Sequence, residues 1–547
     1  MKNRHLLLLI TAVIWVVTGG CRQVTEDLTE SMQHKVDQYE EIVLTADLSW
    51  LSEAEREIIP LLMAAADLID EIFWLQSYGH KEALMQQLDD PSARKYAMIN
   101  YGPWGRLEGH TSFVEGYDDK PLGARFYPSD MTREEFDQWD DPYKSNPFTL
   151  IQRNEEGLLM AVPYTEAYAV QKREISRLLN KAADLADYPP FARYLTALSE
   201  AVLTGDYHAS DKAWMEMKDN NIDLVLRPLS TGEDRLFGYK AAHSSYLVVK
   251  DHAWSEQLKR FAGLAPIFQQ RLPVPDIYKQ EVPSGNSEIF VYDALYYAGH
   301  CNAGPKIIAL HLPQDPQTAS VTGTRSMQLK NVMEAKFSEI LMPIAEMMIH
   351  PDQLHYISSD AFFVLTAFHE IAAPLGISNT INNKGSVSNA LREHHGTIDA
   401  AVTDLMALYL ISQLHEMGEL TEQELNEAFV TSFASVMRSS RFGAAGAHGI
   451  AGMIRFNLFE KEEVFTRCSE TNTYRVNVPN MIAAVESILE HLLVIQGDGD
   501  YDAASDIIKT TGTMPESLQN DIARINQANI PVDVIFEQGP QFLKLTL

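Results

Sequence analysis

The chain has 547 residues, enough for two to four domains, and its hydrophobic content of 46% and charged content of 22% are ordinary for a globular protein. Its 44 basic and 75 acidic residues give a formal net charge of −31. This acidity argues against nucleic acid as a partner, because phosphate binding needs a basic surface. It also disfavours adsorption of the folded body to an anionic membrane.

The first twenty residues have the pattern of a lipoprotein signal peptide. A basic start (1–4) and a short apolar run (5–17) precede Thr18-Gly19-Gly20-Cys21. We expect cleavage before Cys21, lipidation of its thiol, and a polar tether over 21–40. A plain signal peptide followed by a chance cysteine is the alternative. Because Arg22 is not aspartate, the pattern favours an exported lipoprotein in the outer membrane, facing the periplasm and touching the membrane only through the lipid.

Two cysteines remain after Cys21, namely Cys301 and Cys468. Export permits a disulfide between them, but the sequence does not indicate whether they meet. Two cysteines in so long a chain cannot form a disulfide scaffold or a zinc ribbon.

The apolar spacing predicts mixed α and β structure. Helical periodicity covers 48–87 and 167–203, the latter interrupted at Pro189-Pro190, and a loop-rich stretch lies between them at 100–130. Strands are predicted at Ile222–Leu226, Tyr246–Val249, Ile307–His311 and Val532–Phe536. Successive helices are predicted at 325–350, 358–373, 387–418, 421–438 and 443–459.

The most informative motif is an incomplete zinc-hydrolase helix at Thr366–Gly376. His369 and Glu370 stand where an H-E-x-x-H motif begins, but Ala373 occupies the position of the second histidine. Pro374 disfavours a helical conformation at Ala373, so we expect the helix to end there. A histidine that is simply buried and hydrogen-bonded is the default interpretation of so short a match.

A second candidate cluster lies at 393–404. On a helix, Glu393, Ala400 and Asp404 share one stripe, and a carboxylate at position 400 would complete a zinc site.

Other side chains of this segment leave two alternatives open. His395 and Asp399 are four residues apart and could pair with each other. Alternatively, His395 and Asp399 could form a replacement metal site with His369, in which Asp399 is the substitute ligand.

Collinear motifs along most of the chain resemble the dipeptidyl peptidase III family, in particular its bacterial branch of exported zinc-dependent hydrolases. The matching segments are 100–104, 120–128, 206–211, 236–240, 296–299, 328–331, 441–444, 447–449 and 529–533. So many matches in order are specific for family membership, but they do not establish activity.

The resemblance implies roles for individual residues of the zinc site. His369 matches the first zinc ligand, and Glu370 matches the general base. The second and third ligands fall at Ala373 and Ala400, so both are replaced. Asp404 matches an acidic residue that orients a ligand. We therefore expect zinc, the cofactor of the family, to be absent or weakly bound here.

The resemblance also implies roles outside the zinc site. The tyrosine that assists the transition state falls at Gly232, and the glutamate that holds the substrate amino terminus falls at Ser230, so both are lost. His448 matches the histidine that stabilises the transition state. Asn331 matches a position that holds the peptide backbone.

Two functional hypotheses follow. The first is a pseudoenzyme that keeps a cleft for a peptide or protein ligand, which can bind by strand addition without chemistry. The second is an active zinc peptidase that releases dipeptides, using Glu370 as base and a rearranged site drawn from His369, Glu393, His394, His395 and Asp399.

The resemblance implies an α+β, two-lobed fold with a cleft between the lobes. A mixed lower lobe with a small β-barrel is expected over 41–250, joined by a C-terminal strand within 527–547. A mostly helical upper lobe with the former zinc site is expected over 251–526. Ligand binding would close the lobes about a hinge.

Overall fold

A computed structural model describes residues 32–281, 287–443 and 446–545. The predicted signal peptide, Cys21 and the first half of the predicted tether lie outside the described residues. The second half of that segment is structured, because residues 32–36 form a helical turn and the first strand begins at Tyr39.

Helices make up most of the described chain. In order they are α1 Glu53–Ser77, α2 Lys81–Gln87, α3 Pro91–Asn100, α4 Arg133–Gln138, α5 Tyr164–Ala167, α6 Ala169–Leu185, α7 Pro189–Thr204, α8 His208–Glu216, α9 His252–Ala262, α10 Ala265–Arg271, α11 Pro316–Thr322, α12 Lys330–Lys336, α13 Met342–Met348, α14 Ser359–Ala372, α15 Val387–Leu391, α16 His395–Glu416, α17 Glu422–Ser440, α18 Gly446–Lys461, α19 Val478–Asp498, α20 Tyr501–Thr511 and α21 Glu516–Gln527. A π-helical segment, Phe337–Leu341, joins α12 to α13.

The strands are shorter and form one principal sheet. They are β1 Tyr39–Val43, β2 Trp104–Gly105, β3 Thr111–Ser112, β4 Thr149–Arg153, β5 Leu159–Pro163, β6 Ile222–Leu229, β7 Ala242–Asp251, β8 Ser287–Gly299, β9 Ala309–Leu312, β10 Thr324–Leu329, β11 Phe465–Cys468, β12 Thr473–Val476 and β13 Asp533–Glu537. The five-stranded sheet has the order β6-β7-β8-β10-β9, in which only β8 and β10 run parallel.

The edge strands β6 and β9 approach each other at one end of this sheet. Gln314, which follows β9, accepts a hydrogen bond from the backbone N–H of Ser230 at 2.8 Å and donates one to its carbonyl at 3.3 Å. Among the described residues, β6 and β9 are the two edges of the sheet and do not pair with each other. The small closed barrel that the resemblance implies therefore stays a prediction.

Two apolar cores divide the molecule into two lobes. The lower core gathers α1, α6, α7 and the sheet, with members from Leu44 to Val332 and Leu543. The upper core gathers the helices that surround α16, with members from Leu258 to Val534. These cores match the predicted mixed lower lobe and helical upper lobe.

The predicted division at residue 250 differs from this arrangement. Strands β8, β9 and β10 extend the lower sheet as far as Leu329, and Val291 and Met333 already belong to the upper core. The sequence pattern placed 325–350 in a helix, whereas its first five residues are strand β10. Pairing with the distant strand β8 determines the conformation of this segment, and local periodicity does not record such pairing.

The C-terminal strand rejoins the N-terminal part of the chain, as predicted. Strand β13 pairs in parallel with β1, from Tyr39 opposite Asp533 to Val43 opposite Glu537. Lys336 of α12 donates to the Asp533 carboxylate at 2.9 Å, and both side chains are almost completely buried. This ion pair fixes β13 beside the helix that follows the central sheet.

Candidate functional site

Helix α14 carries the incomplete zinc motif. Ser358 caps its first turn by accepting a hydrogen bond from the N–H of Ala361 at 3.3 Å. The helix ends at Ala372, and Pro374 follows two residues later, so the predicted end is confirmed. Ala373 nevertheless keeps helical dihedral angles, and its N–H donates to the His369 carbonyl at 2.9 Å. Its methyl group therefore stands one helical turn after His369.

His369 is held by a carboxylate of the neighbouring helix α16. Its Nε2 lies 3.1 Å from Oδ1 of Asp404, and the histidine side chain is 40% exposed. The other oxygen of Asp404 lies 3.3 Å from Nη1 of Arg455, a nearly buried side chain of α18. Asp404 thus bridges a histidine and a guanidinium, and its negative charge is balanced by a side chain of the protein itself.

The residues of this centre do not fit a zinc ion. Zinc in proteins is held by at least three nitrogen, sulfur or oxygen ligands of the chain. Of the three positions that the resemblance implies, His369 supplies one ligand, and the other two are the methyl groups of Ala373 and Ala400, the latter 7% exposed in the core. Across 32–281, 287–443 and 446–545, no three His, Cys, Asp or Glu side chains are grouped so as to hold a metal ion.

The proposed substitute ligands have other partners. Glu393 accepts a hydrogen bond from the Tyr501 hydroxyl at 2.6 Å, and the His394 ring lies 4.7 Å from the ring of Tyr501. Asp399 accepts a long hydrogen bond from Gln496 at 3.4 Å. These contacts tie the segment to α19 and α20, so they give each of these carboxylates a structural role.

Glu370 faces the lower lobe across the cleft. One of its carboxylate oxygens lies 3.7 Å from Nδ1 of His311 on the edge strand β9. The polar groups of His311 and of Ser326 on β10 favour the charged carboxylate more than burial disfavours it, and they lower the pKa of Glu370 below its ordinary value. The carboxylate is therefore ionised at neutral pH and connects the two lobes.

A cavity of about 480 Å³ opens beside Glu370. Its upper wall is formed by α9, α10 and the end of α14, and its lower wall by 218–219 and the first residues of β8. Charges of both signs line it, including Lys259, Glu256 and Glu288. A cavity of this size between two lobes, with apolar and charged walls, has the character of a ligand site.

Two lower-lobe positions to which the resemblance assigns substrate-binding residues, Ser230 and Gly232, have specific local structures. Both backbone polar groups of Ser230 are engaged by Gln314. Gly232 has φ +77°, a left-handed conformation in which a side chain is strained. Restoring a tyrosine at position 232 would therefore need a change of backbone conformation as well as of residue.

The structure also gives the surroundings of the other residues that the sequence analysis singled out, namely Asn331, His448 and the two cysteines. The amide of Asn331 forms a reciprocal pair with the backbone of Ala294 at 2.8 and 2.9 Å and also donates to the Thr45 carbonyl at 3.2 Å, so it braces β8. His448 lies exposed in the first turn of α18. Cys301 and Cys468 are both free thiols, the first buried and the second on β11.

Sequence reasoning missed Arg455 and His311. The signal for Arg455 was a lone arginine in the apolar run Met453–Phe456, where a charge needs a partner. His311 carried no signal, since only the folding of β9 against α14 brings it to Glu370.

Comparisons with known proteins give one similar protein sequence and two similar dipeptidyl peptidase III structures. No family profile matches the chain. The protein called Nudix hydrolase 3 from Arabidopsis thaliana is 30% identical over 585 residues, which cover 95% of this chain and 75% of that protein. The structure of DPP III from Caldithrix abyssi superposes with a TM-score of 0.89 at 32% identity, covering 93% of this chain and 99% of the other. The structure of dipeptidyl-peptidase III from Corallococcus sp. strain EGB superposes with a TM-score of 0.77 at 28% identity, covering 93% and 97%.

Proposed function

The chain belongs to the dipeptidyl peptidase III family, and from this premise we propose that it is a member without zinc-dependent hydrolysis, which keeps the cleft between its lobes as a binding site for a peptide or a protein segment. Its scaffold is that of the peptidase, while the centre of the cleft lacks the ligands that the chemistry needs.

The observation that carries this proposal is the Asp404 bridge. In a zinc site, a carboxylate beside a histidine ligand orients it and is balanced by the charge of the metal. Here the Arg455 guanidinium stands 3.3 Å from Asp404 and supplies that positive charge. A single histidine gives far too little affinity to hold zinc, and without zinc Glu370 has no acidified water to deprotonate.

The first prediction concerns zinc content. After incubation with zinc and desalting, the purified protein is expected to retain fewer than about 0.1 zinc per chain, since one protein ligand does not hold the ion. Elemental analysis measures this directly. The double variant Ala373→His/Ala400→Glu supplies both missing ligand types and is the matched gain-of-binding control, with retained zinc expected to rise towards one per chain.

The alternative, a working peptidase with a rearranged metal site, predicts the opposite result. About one zinc per chain in the wild-type protein, lost in His369→Ala and accompanied by hydrolysis of dipeptidyl substrates, would replace our proposal with that one.

The second prediction concerns how a peptide is held. The exposed edge of β9 can accept an extended peptide as an additional strand, and its backbone groups recognise the peptide main chain. Because Ser230 stands at the position to which the resemblance assigns the glutamate that holds the substrate amino terminus, the cleft lacks this particular anchor for a free amine. We expect N-acetylated and free peptides of the same sequence to bind with dissociation constants within about threefold of each other.

Calorimetric titration with the two peptides tests this expectation, and Ser230→Glu is the control variant. This variant should bind the peptide with a free amino terminus more tightly than the N-acetylated peptide. A wild-type preference for the free amine of tenfold or more would show that another residue anchors the substrate terminus, as in an active peptidase.

We further propose that the protein is exported and is tethered to the outer membrane by a lipid on Cys21. The support is the sequence pattern of 1–21 alone. Mass spectrometry of the N-terminal peptide from membranes, with Cys21→Ala as control, tests the lipid.

A further inference from the structure

The lower lobe contains a second cavity, far along the chain from the zinc motif. It has a volume of about 210 Å³, the space of about seven water molecules. Its walls come from the segment before β4, from α5 and α6, from the turn between α7 and α8, and from β6. Aromatic rings of Phe148, Tyr164 and Tyr207 form much of the wall.

Lys172 of α6 is the one charged residue among those that line this cavity, and it is 3% exposed. Within the described chain its ammonium group forms no ion pair or hydrogen bond. A buried charge without a partner costs several kcal/mol and is rare in folded proteins.

The other buried lysines show how unusual this is. The described residues contain six buried lysines, and five have polar partners for the ammonium group. Lys120 and Lys336 bind carboxylates, and Lys240, Lys250 and Lys306 donate to backbone or side-chain oxygens. Lys172 lines a cavity and has no such partner among the described residues, so the cavity is where a counter-charge for its ammonium group would lie.

The groups around Lys172 add no negative charge. His243 of β7 lies fully buried between the rings of Tyr164 and Tyr168, and neither of its ring nitrogens has a partner in the described residues. Burial and the charge of Lys172 hold the pKa of His243 well below its usual value, so this histidine is neutral. Burial raises the pKa values of Tyr164 and Tyr207, which line the cavity, so both hydroxyls are protonated and uncharged.

We propose that this cavity, outside the inter-lobe cleft, binds a small monocarboxylate with an apolar body, whose carboxylate pairs with the ammonium group of Lys172. One cation matches one negative charge, whereas a phosphate carries more charge and needs more donors. The ring of Tyr207, held from behind by the Arg227 guanidinium at 4.5 Å from its centroid, offers an apolar surface for the body of the ligand.

The test is a calorimetric titration of the whole protein with benzoate in carboxylate-free buffer. Benzamide, which has the same shape without the charge, and inorganic phosphate are titrated separately. We expect saturable one-to-one binding of benzoate and at least about tenfold weaker binding of benzamide, equivalent to about 1.4 kcal/mol. Affinity should decrease above pH 8, because burial lowers the pKa of Lys172 to about 8 and the ammonium group then loses its proton.

Two lysine variants on one helix separate this site from nonspecific attraction. Lys172→Met should abolish benzoate binding, while Lys181→Met, at an exposed position of α6, should leave it unchanged. Equal binding of benzoate and benzamide, benzoate binding that survives in Lys172→Met, or phosphate binding tighter than that of benzoate would overturn the proposal. A Lys172→Met protein that retains the wild-type circular dichroism spectrum shows that loss of binding is not loss of fold.

Discussion

Replacing Glu233 by glutamine is expected to lower the free energy of unfolding by about 3–5 kcal/mol, because it leaves two buried cations without a counter-charge. The Glu233 carboxylate is 1% exposed and receives two hydrogen bonds from Arg106, at 2.9 and 3.3 Å. Lys120, also buried, donates to the same carboxylate. His300 lies 3.5 Å away. The glutamine amide keeps the shape of the carboxylate but not its charge.

Urea unfolding at neutral pH measures this effect, with Glu155→Gln as the control. Glu155 is exposed in the turn between β4 and β5, and its replacement should change stability by less than about 0.5 kcal/mol. Although burial opposes it, the charges of Arg106 and Lys120 lower the pKa of Glu233 well below 4.5. The stabilisation is therefore present above pH 4.5 and declines as the pH falls below that value. A variant as stable as the wild-type protein would show that these cations find other partners.

The second large effect has the opposite sign: Lys172→Met is expected to stabilise the protein by about 3 kcal/mol at pH 7. Burial lowers the pKa of Lys172 from 10.5 to about 8. Each pKa unit corresponds to about 1.4 kcal/mol, and the shift opposes the charged form in the folded state. Methionine has a similar length and carries no charge, so the substitution removes this cost without leaving a large void.

The pH dependence of this stabilisation identifies its cause. Below pH 8 the lysine is charged in both the folded and the unfolded states, so the full cost is present. Between pH 8 and 10.5 the unfolded chain binds the proton more tightly, and the wild-type protein gains stability relative to the variant until the electrostatic difference disappears. Thermal unfolding of the wild-type protein and the variant at pH 7 and pH 10, in buffer without carboxylates, measures their stability difference with the lysine charged and with it largely neutral in the folded state. A destabilised variant, or a difference that does not change with pH, would contradict the argument.

The expected effects of Lys172→Met on stability and on carboxylate binding have the same physical cause. A buried charge that lowers stability and has no partner in the described part of the chain is typical of a binding site, where a destabilising arrangement is retained for its function. The same substitution should therefore raise stability and abolish carboxylate binding, while Lys181→Met changes neither.

The sequence by itself determined the family and the succession of helices in the upper lobe, and it predicts the loss of two zinc ligands. Helices α14, α16, α17 and α18 follow apolar periodicity, which is a local property, and Ser358 and Pro374 mark the bounds of α14. The replacement of ligands at Ala373 and Ala400 can be read directly, because the type of residue decides whether it can bind a metal.

Only the tertiary structure decided which side chains surround His369 and how the lobes meet. Arg455, Asp404 and His369 come from three helices, and His311 reaches Glu370 from a strand about sixty residues earlier in the chain. Strands β8 and β10 form by pairing with each other across the intervening segment. The surroundings of Lys172, which leave its ammonium group without a partner among the described residues, are likewise set by the fold. Local sequence encodes helix periodicity and residue chemistry, whereas charge balance and strand pairing depend on groups that only the folded chain brings together.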